Sequence, residues 1–402
     1  MAVYNGWVVE YYNGSAWTTL SNVRELSCNV GRRFPSEPWP VSSASLTVWY
    51  PTGFAAPIPS LVVGAKIRFF APGRSSSHPS WTGLISNLRL ELGQIWNSST
   101  SYGAEDFLII ECEGEGSRVA RLGQIINVLE ETDVEAFIED TIGVPNSLVT
   151  KAQGTFGRFD DLELPGGVYN LWDAMQQVAV YTVGRIFDGV RKKSTGWAGT
   201  AGVTNDPAVV FYNGRFSAAD VASVKFSDTT NNSTYRKFDQ YQFDSVADNF
   251  FTSSEIDGKF GGSTDTYRAT ATGASAPFRQ FNASAIGLTA DLLQEVAGFW
   301  ANSLSSNSVS PIMISATASS QQTQNLDTLG FADLELAYLT TKGVELSFRG
   351  VSYLCRIEGV SVFADVQDSR FTYYVSPTTD TAWFILDDAT LGVLDQNRLG
   401  LY

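Results

Sequence analysis

The feature that most constrains the fold is a pattern of three strand-like segments that the chain uses twice. In both copies the segments alternate apolar with other residues, which is typical of half-buried β-strands. The C-terminal copy spans residues 344–375, with runs at 344–348, 353–362 and 370–375. The N-terminal copy has runs at 64–70, 81–85 and 106–112. Two copies of one small barrel predict a duplicated scaffold rather than a single catalytic pocket.

Length and composition agree with a β-rich, multidomain protein. A chain of 402 residues is too long for one ordinary core and predicts two to four domains. Only 17% of the residues are charged, so the surface depends on uncharged polar side chains, and the 35 glycines favour a loop-rich β protein. The net charge of −15 argues against holding DNA or RNA by counterion release, and no sequence-specific nucleic-acid binding is expected.

Targeting and redox signals are few. The first residues show no charged segment followed by an apolar one, and no apolar run is long enough to span a bilayer. We therefore expect synthesis in a cytoplasm and no membrane-spanning segment. Cys28, Cys112 and Cys355 are odd in number, far apart and within strand-like runs, which predicts buried free thiols rather than disulfides or a metal site.

Helical periodicity occurs in a few places. Residues 168–183 place apolar side chains at helical spacing, and Gly184 is positioned to end that helix. Residues 288–304 predict a second long helix, and residues 133–142 a short one. The stretch 258–276 is rich in glycine, serine and threonine and predicts an exposed, mobile loop.

The fold class predicted from these patterns is mainly β with α+β insertions. It comprises two related small β-barrel domains, inserted modules that contain helices, and an extended C-terminal tail. The predicted domains are a first barrel at 1–122, an inserted α+β module at 123–215 with a helix at about 168–183, a second barrel at 216–255 and 330–382, an inserted loop and helix module at 256–329, and a docking tail at 383–402.

The C-terminal tail carries a repeated motif. Leu-Asp-x-x-x-Leu-Gly begins at Leu386 and again, eight residues later, at Leu394. A terminal apolar segment needs something to dock on, and two alternatives remain: its own domain or a neighbouring chain. The candidate assembly contacts are Trp383, Phe384, Leu386, Leu391, Leu394 and Leu399.

Catalytic chemistry finds little support. His78 is the only histidine and lies in a serine-rich loop, away from any evident nucleophile and carboxylate. Glu111, Glu113 and Glu115 alternate along one strand and could serve glycoside hydrolysis, but a solvated or interface face explains them more simply. No zinc, calcium or phosphate-binding pattern is present, so neither a metal nor a cofactor is expected.

Aromatic residues are the one feature with binding potential. Ten tryptophans and sixteen tyrosines could build a surface on which sugars stack. Most of them occupy strand or helix positions that point to a core, as Trp49, Trp172 and Trp300 do. Packing is therefore the better interpretation for the majority.

Several stretches together resemble a known family. They are residues 28–32, 44–48, 64–68 and 81–85 for an opening barrel, 171–187 for a central helix and strand, and 246–251 and 356–362 for a second barrel. Their order is similar to that of the tail-hub, or baseplate-hub, proteins of tailed bacteriophages, often labelled minor tail proteins in siphophages. The Leu-Asp-x-x-x-Leu-Gly tail resembles the ends of minor tail proteins in phages of actinobacteria. The likeness covers most of the chain.

This resemblance implies a homotrimer at the tail tip of a virion. Each chain would contribute two barrels, so that three chains form a ring of six around the DNA exit channel. The ring would join a sixfold tail tube or distal tail protein above to a threefold central fibre or tip protein below. Synthesis would take place in the bacterial host cytoplasm. An acidic lumen would repel DNA, which suits the net charge of −15.

Two other function classes compete with a structural hub. A β-rich receptor- or carbohydrate-binding tail protein would use the aromatic surface, and a sugar preference would identify it. A cell-wall hydrolase fused into the tail would need an acid and base pair, for which the sequence offers no credible candidate.

Overall fold

The structure is a computed structural model that describes only part of the chain. The described residues are 6–54, 57–72, 79–98, 101–121, 123–126, 129–132, 149–153, 162–164, 167–182, 184–192, 203–213, 221–230, 235–244, 250–260, 263–272, 279–286, 290–305, 310–319 and 343–377. They are mostly strands, which confirms the mainly β prediction. Within these ranges no helix has the length and apolar character needed to cross a membrane.

Seven strands form an N-terminal half of the main sheet. They are β1 (Val8–Tyr12), β2 (Trp17–Thr19), β3 (Val23–Gly31), β4 (Ser43–Tyr50), β5 (Lys66–Phe70), β6 (Trp81–Ser98) and β7 (Ser101–Glu113). Their order in the sheet is β3-β4-β7-β6-β5-β1-β2, and every neighbouring pair is antiparallel. The hairpin between β1 and β2 turns at Gly14, whose φ of 96° suits glycine in a tight turn.

A central module follows the N-terminal half. Its elements are α1 (Gly116–Arg121), β8 (Gly123–Ile126), β9 (Leu129–Thr132), β10 (Val149–Gln153), β11 (Leu162–Leu164), β12 (Gly167–Asn170), α2 (Leu171–Thr182), β13 (Arg185–Lys192) and β14 (Val203–Asn213). The strands form two short antiparallel pairs and a three-stranded sheet in the order β10-β14-β13.

The remaining elements build a C-terminal half and a small layer beside it. The strands and helix are β15 (Val221–Ser227), β16 (Tyr235–Lys237), β17 (Gln240–Asp244), β18 (Ser253–Phe260), β19 (Ser263–Thr270), β20 (Gln280–Ile286), α3 (Ala290–Ser303), β21 (Ser310–Ser319), β22 (Gly343–Phe348), β23 (Val351–Ala364) and β24 (Asp368–Pro377). We define the C-terminal half as β15, β16, β17, β21, β22, β23 and β24. These strands continue the main sheet, whereas β19-β18-β20 form a separate one.

The two halves have the same strand order. The C-terminal half runs β17-β21-β24-β23-β22-β15-β16. Numbered within each half in chain order, both read 3-4-7-6-5-1-2. The match extends to strand direction except at the sixth place, where β15 is parallel to β22 while β1 is antiparallel to β5. This order supports the predicted duplication, and closure of each half into a barrel stays a prediction.

Corresponding β-bulges strengthen the match between the halves. The ladder between β6 and β7 slips at Ser86, and the ladder between β23 and β24 slips at Glu358. Gly83 in β6 pairs with Ile67, the second residue of β5, and Cys355 in β23 pairs with Val344, the second residue of β22. In each half the bulge follows three residues after this pair. Since a bulge bends its strand and redirects its edge, both central strands change course at the same point.

Two sequence predictions need correction. The central helix was expected over about 168–183, but residues 167–170 form β12, and α2 begins at Leu171. Asn170 sets this start because its side-chain oxygen accepts hydrogen bonds from the backbone N–H groups of Trp172 and Asp173 at 3.0 and 3.3 Å. Gly184 does close the helix, since its N–H donates to the Ala179 carbonyl at 2.8 Å.

The second correction concerns the loop predicted over 258–276. Its described part belongs to the hairpin of β18 and β19, which pairs residue for residue from Ser253 with Thr270 to Phe260 with Ser263. Small polar side chains populate the exposed face of these strands, while Ile256 is buried and Tyr267 packs against the same core. Composition therefore suggested a loop, whereas core packing by Ile256, Tyr267 and Ala269 and the pairing of β18 with β20 hold a hairpin here.

Two cores hold these layers together. The larger lies along both halves of the main sheet and contains Cys28, Cys112 and Cys355, which are buried and free, as predicted. The smaller forms where α2 packs on β20 and α3 packs on β18 and β19. Trp300 links the two helices because its indole N–H donates to the Val180 carbonyl at 3.1 Å.

Candidate assembly surface

The contact between the halves is a strand pair. β3 and β23 pair antiparallel from Gly31 with Gly359 to Leu26 with Ala364. Up to Arg356, β23 pairs with β22; beyond its bulge it pairs with β3 instead. We call the β3–β23 contact the internal junction. It joins two similar units edge to edge, as separate subunits could be joined.

A buried ion pair closes one end of the internal junction. Glu358, the bulged residue, accepts hydrogen bonds from Arg32 Nε at 2.9 Å, Arg356 Nε at 2.6 Å and the Ser376 hydroxyl at 2.6 Å. Burial alone would raise the pKa of Glu358, but the charges of Arg356, Arg32 and Arg185 outweigh it and hold that pKa well below its usual range. The carboxylate thus stays ionised inside the protein.

Further contacts connect the halves at the other end. The indole N–H of Trp7 donates to the Ser369 hydroxyl at 2.8 Å, and its ring stacks on Phe371 with centroids 6.0 Å apart. Both partners belong to β24, whereas Trp7 precedes β1. The halves therefore share one continuous apolar core across the junction.

The central module is fixed to the sheet by a buried carboxyl group. Asp188 in β13 accepts hydrogen bonds from the backbone N–H of Ser42, at 2.6 Å, and from that of Gly116. Burial raises the pKa of Asp188 to about 6, although these hydrogen bonds oppose the rise. Gly116 has no space for a side chain here, since a Cβ would lie 2.5 Å from Trp172 and 2.6 Å from Asp188.

In the N-terminal half, one of the open strand edges belongs to β6. Beyond its bulge, β6 pairs with β7 on one side, and among the described residues no strand pairs with its other side. Leu90 and Leu92 on this stretch are 38% and 76% exposed. The neighbouring Arg89 and Glu91 form a surface ion pair at 3.2 Å. We call residues 87–93 the β6 edge.

A second open edge belongs to the C-terminal half. β17 pairs with β21, and within the described part of the chain its other side has no partner strand. Tyr241 is 44% exposed, and its ring lies 4.6 Å from that of Phe348, centroid to centroid. Phe243 packs against Phe348 as well, at 4.8 Å. We call residues 240–244 the β17 edge.

The structure leaves the predicted assembly residues untested. Trp383, Phe384, Leu386, Leu391, Leu394 and Leu399 all lie outside the described residues, as does His78.

The three glutamates noted in the sequence make other contacts: Glu111 accepts a hydrogen bond from Asn87 at 3.0 Å, and Glu113 pairs with Arg121 at 2.7 Å. Glu115 is buried beyond the strand and pairs with Arg118.

Of the three aromatic residues predicted to lie in a core, Trp172 and Trp300 are buried. Trp49 was wrongly assigned: it is half-buried on the face of β4 opposite the buried Leu46 and Val48, under the Arg24 guanidinium, 3.5 Å from its ring centroid. In the described ranges no group of three histidine, cysteine or carboxylate side chains could hold a metal ion.

Sequence reasoning missed the β6 edge. Its signal was visible, because Leu88, Leu90 and Leu92 extend the period-2 pattern well past the predicted end of the strand at Ile85. Arg89 and Glu91 between them are charges of the kind that protect an edge strand from indiscriminate pairing.

Comparisons with known proteins agree with this architecture. The chain is similar to a tail protein from Neisseria meningitidis MC58, with 11% identity, a TM-score of 0.54, and coverage of 92% of this chain and 96% of that one. It is similar to a 43 kDa tail protein of prophage MuSo2 from Shewanella oneidensis, with 10% identity, a TM-score of 0.55, and coverage of 91% and 98%.

A third similar structure comes from a secretion apparatus. It is an E. coli component of the type VI secretion system, described as structurally similar to the T4 bacteriophage tail proteins gp27 and gp5, with 7% identity, a TM-score of 0.50, and coverage of 92% and 77%. No family model and no curated protein sequence matches the chain. The chain therefore shares the fold of these tail proteins, and the resemblance seen in the sequence is confirmed at the level of the fold.

Proposed function

We propose that this protein is a non-catalytic structural component of a bacteriophage tail tip, where three copies form a hub ring. The observation that carries the proposal is that the same order of seven strands occurs twice in one chain, in two halves that the internal junction connects. Three chains would supply six similar units, which can match a sixfold tube on one side and a threefold tip on the other.

The open edges favour a ring over a closed monomer. A chain with one β6 edge and one β17 edge offers two different surfaces, and a head-to-tail contact between different surfaces generates either a ring or a filament. The internal junction limits this choice, since it already fixes the angle between successive units. If that angle is about 60° and is repeated between chains, six units close the ring and give the trimer.

The other parts of the proposal extend this arrangement. The ring surrounds the DNA channel in the virion, below a tail tube or distal tail protein and above a central fibre or tip protein. The domain division at 1–122, 123–215, 216–255 with 330–382, 256–329 and 383–402 belongs to the proposal, as does docking of the last twenty residues on the chain itself or on a neighbour.

Cryo-electron microscopy of intact virions tests the proposal. Three copies of the chain in one ring at the distal end of the tail tube are expected. Copies on peripheral fibres would contradict it and favour receptor or sugar binding. A glycan array then serves as the check, since a hub is expected to show no sugar preference.

A further inference from the structure

We propose that the β6 edge pairs antiparallel with the β17 edge of a second copy of this chain, so that each contact between chains repeats the internal junction. This inference rests on the proposed function and specifies which strands make its subunit contacts. It starts from a difference between the halves. At the internal junction β23 has β3 as its partner, whereas the corresponding stretch of β6 has none among the described residues.

The first step aligns β6 with β23 through their bulges. Leu90 then corresponds to Val362, and Leu92 to Ala364. Val362 and Ala364 are only 2% and 3% exposed because they lie in the paired stretch at the junction, beside the core. Leu90 and Leu92 are larger side chains and yet are 38% and 76% exposed. Their exposure is that of a junction with one strand missing.

The second step identifies the missing strand. β17 occupies in the C-terminal half the place of β3 in the N-terminal half. In the N-terminal half, paired residues can be followed from β6 through β7 and β4 to β3. In the C-terminal half, they can be followed from β23 through β24 and β21 to β17. Gln242 on β17 then corresponds to Ser27 on β3. Ser27 pairs with Phe363, whose counterpart on β6 is Glu91. Glu91 therefore faces Gln242 of the partner subunit.

The third step examines the chemistry of this register. It places three pairs opposite each other: Leu92 with Tyr241 of the partner subunit, Leu90 with the partner's Phe243, and Arg89 with the partner's Asp244. The first two cover exposed apolar side chains on the core-facing side, and the third brings opposite charges together. At the internal junction the pair that corresponds to Arg89 and Asp244 is Ser361 and Asn29, which are already hydrogen-bonded.

Cysteine cross-linking tests the register. The full-length double variant Arg89→Cys, Asp244→Cys is expected to form inter-chain disulfides on mild oxidation, giving covalent trimers on a non-reducing gel. The matched control is Arg89→Cys with Gln242→Cys, a diagonal pair two residues out of register, which is expected to cross-link weakly. The natural cysteines are buried and free and do not compete.

The mass of each cross-linked sample is also measured, to determine whether trimers are present. This is done for the purified chain at high concentration and for assembled tails. Trimers that cross-link in the predicted register support the edge pairing. Trimers that form without this cross-link contradict the edge pairing and leave the hub intact. The absence of trimers from both preparations contradicts the edge pairing and the hub together.

Charge reversal gives an independent readout. Arg89→Glu is expected to raise the concentration at which half the chains are trimeric about tenfold. Adding Asp244→Arg is expected to restore it. Leu92→Arg should weaken assembly too, whereas Val63→Arg should not, because Val63 is exposed but lies on neither edge. Equal effects of Leu92→Arg and Val63→Arg would overturn the pairing.

Discussion

Glu358 is the residue on which the internal junction depends most. It is fully buried, and two guanidinium groups and a hydroxyl point at it. A buried ion pair adds little stability over apolar packing, but removal of one partner leaves the others desolvated and uncompensated. Removing Glu358 is therefore expected to lower the free energy of unfolding by much more than the intact ion pair raises it.

We expect Glu358→Gln to lower the free energy of unfolding by about 3–5 kcal/mol, because Arg32 and Arg356 lose their buried counter-charge. Urea unfolding at neutral pH measures this. Glu345→Gln is the matched control, since it removes a carboxylate that pairs with Lys225 near the surface of the same sheet. Losses of similar size in the two variants would refute a special role for Glu358.

Asp188 predicts a dependence of stability on pH. Its pKa is raised to about 6 in the folded state, so the folded protein holds a proton between about pH 4 and 6 that the unfolded chain releases. Stability from this group is therefore greatest below about pH 4 and decreases as pH rises towards 6. Relative to Asp188→Asn, the wild-type protein should lose up to about 3 kcal/mol over that interval. Parallel stability curves for the two proteins would rule this out.

Among the elements, β23 makes a very close backbone contact with β3. A Cβ on Gly359 would lie 2.5 Å from the carbonyl oxygen of Arg32 and 2.9 Å from that of Val30. Only glycine allows β3 to approach this closely just after the bulge.

Gly359→Ala is therefore expected to separate β3 from β23 and to destabilise the protein by about 1–3 kcal/mol. Hydrogen exchange should locate the loss of protection in β3 and the end of β23. Gly298→Ala provides the control, because its helix site in α3 has open space around it and alanine favours helices. If Gly359→Ala left exchange in β3 unchanged, the close approach would have no energetic importance.

Elements were predicted from the sequence where local chemistry decides them. Both long helices follow from apolar spacing, and Gly184 marks the end of the first. The start of α2 was misplaced because Val168 fits the helical pattern, although capping by Asn170 decides where the helix begins. The bulges were out of reach, since only the partner strand determines which residue is left unpaired.

For the whole molecule, net charge opposes assembly at long range. Each chain carries a formal charge of −15, so copies repel one another until salt screens them. Raising ionic strength from about 0.02 to 0.15 M should lower the concentration needed for trimers. Analytical ultracentrifugation at several salt concentrations measures this shift. A shift in the opposite direction would mean that attraction between opposite charges, such as Arg89 with Asp244, dominates assembly.

The duplicated plan was visible in the sequence, but its completeness was not. Alternating runs suggested three repeated strands, and the structure shows seven in the same order. Strands such as β17 are short: Tyr241 and Phe243 alternate with polar residues, but five residues are too few to show that the strand completes a repeat. The candidate site eluded prediction for a related reason. An open edge is defined by a strand that is absent, and a single sequence does not show absent partners.

The internal junction can form only late in the synthesis of the chain. Arg32 and Glu358 are 326 positions apart, so the ribosome must complete most of the chain before β3 meets β23. Until then the N-terminal half has an unpaired β3 edge in addition to the β6 edge, and both are templates for aggregation. A nascent chain that stalls or terminates after the central module would keep both edges open. We therefore expect the N-terminal half to need protection by chaperones until β23, which covers the β3 edge, has been synthesised.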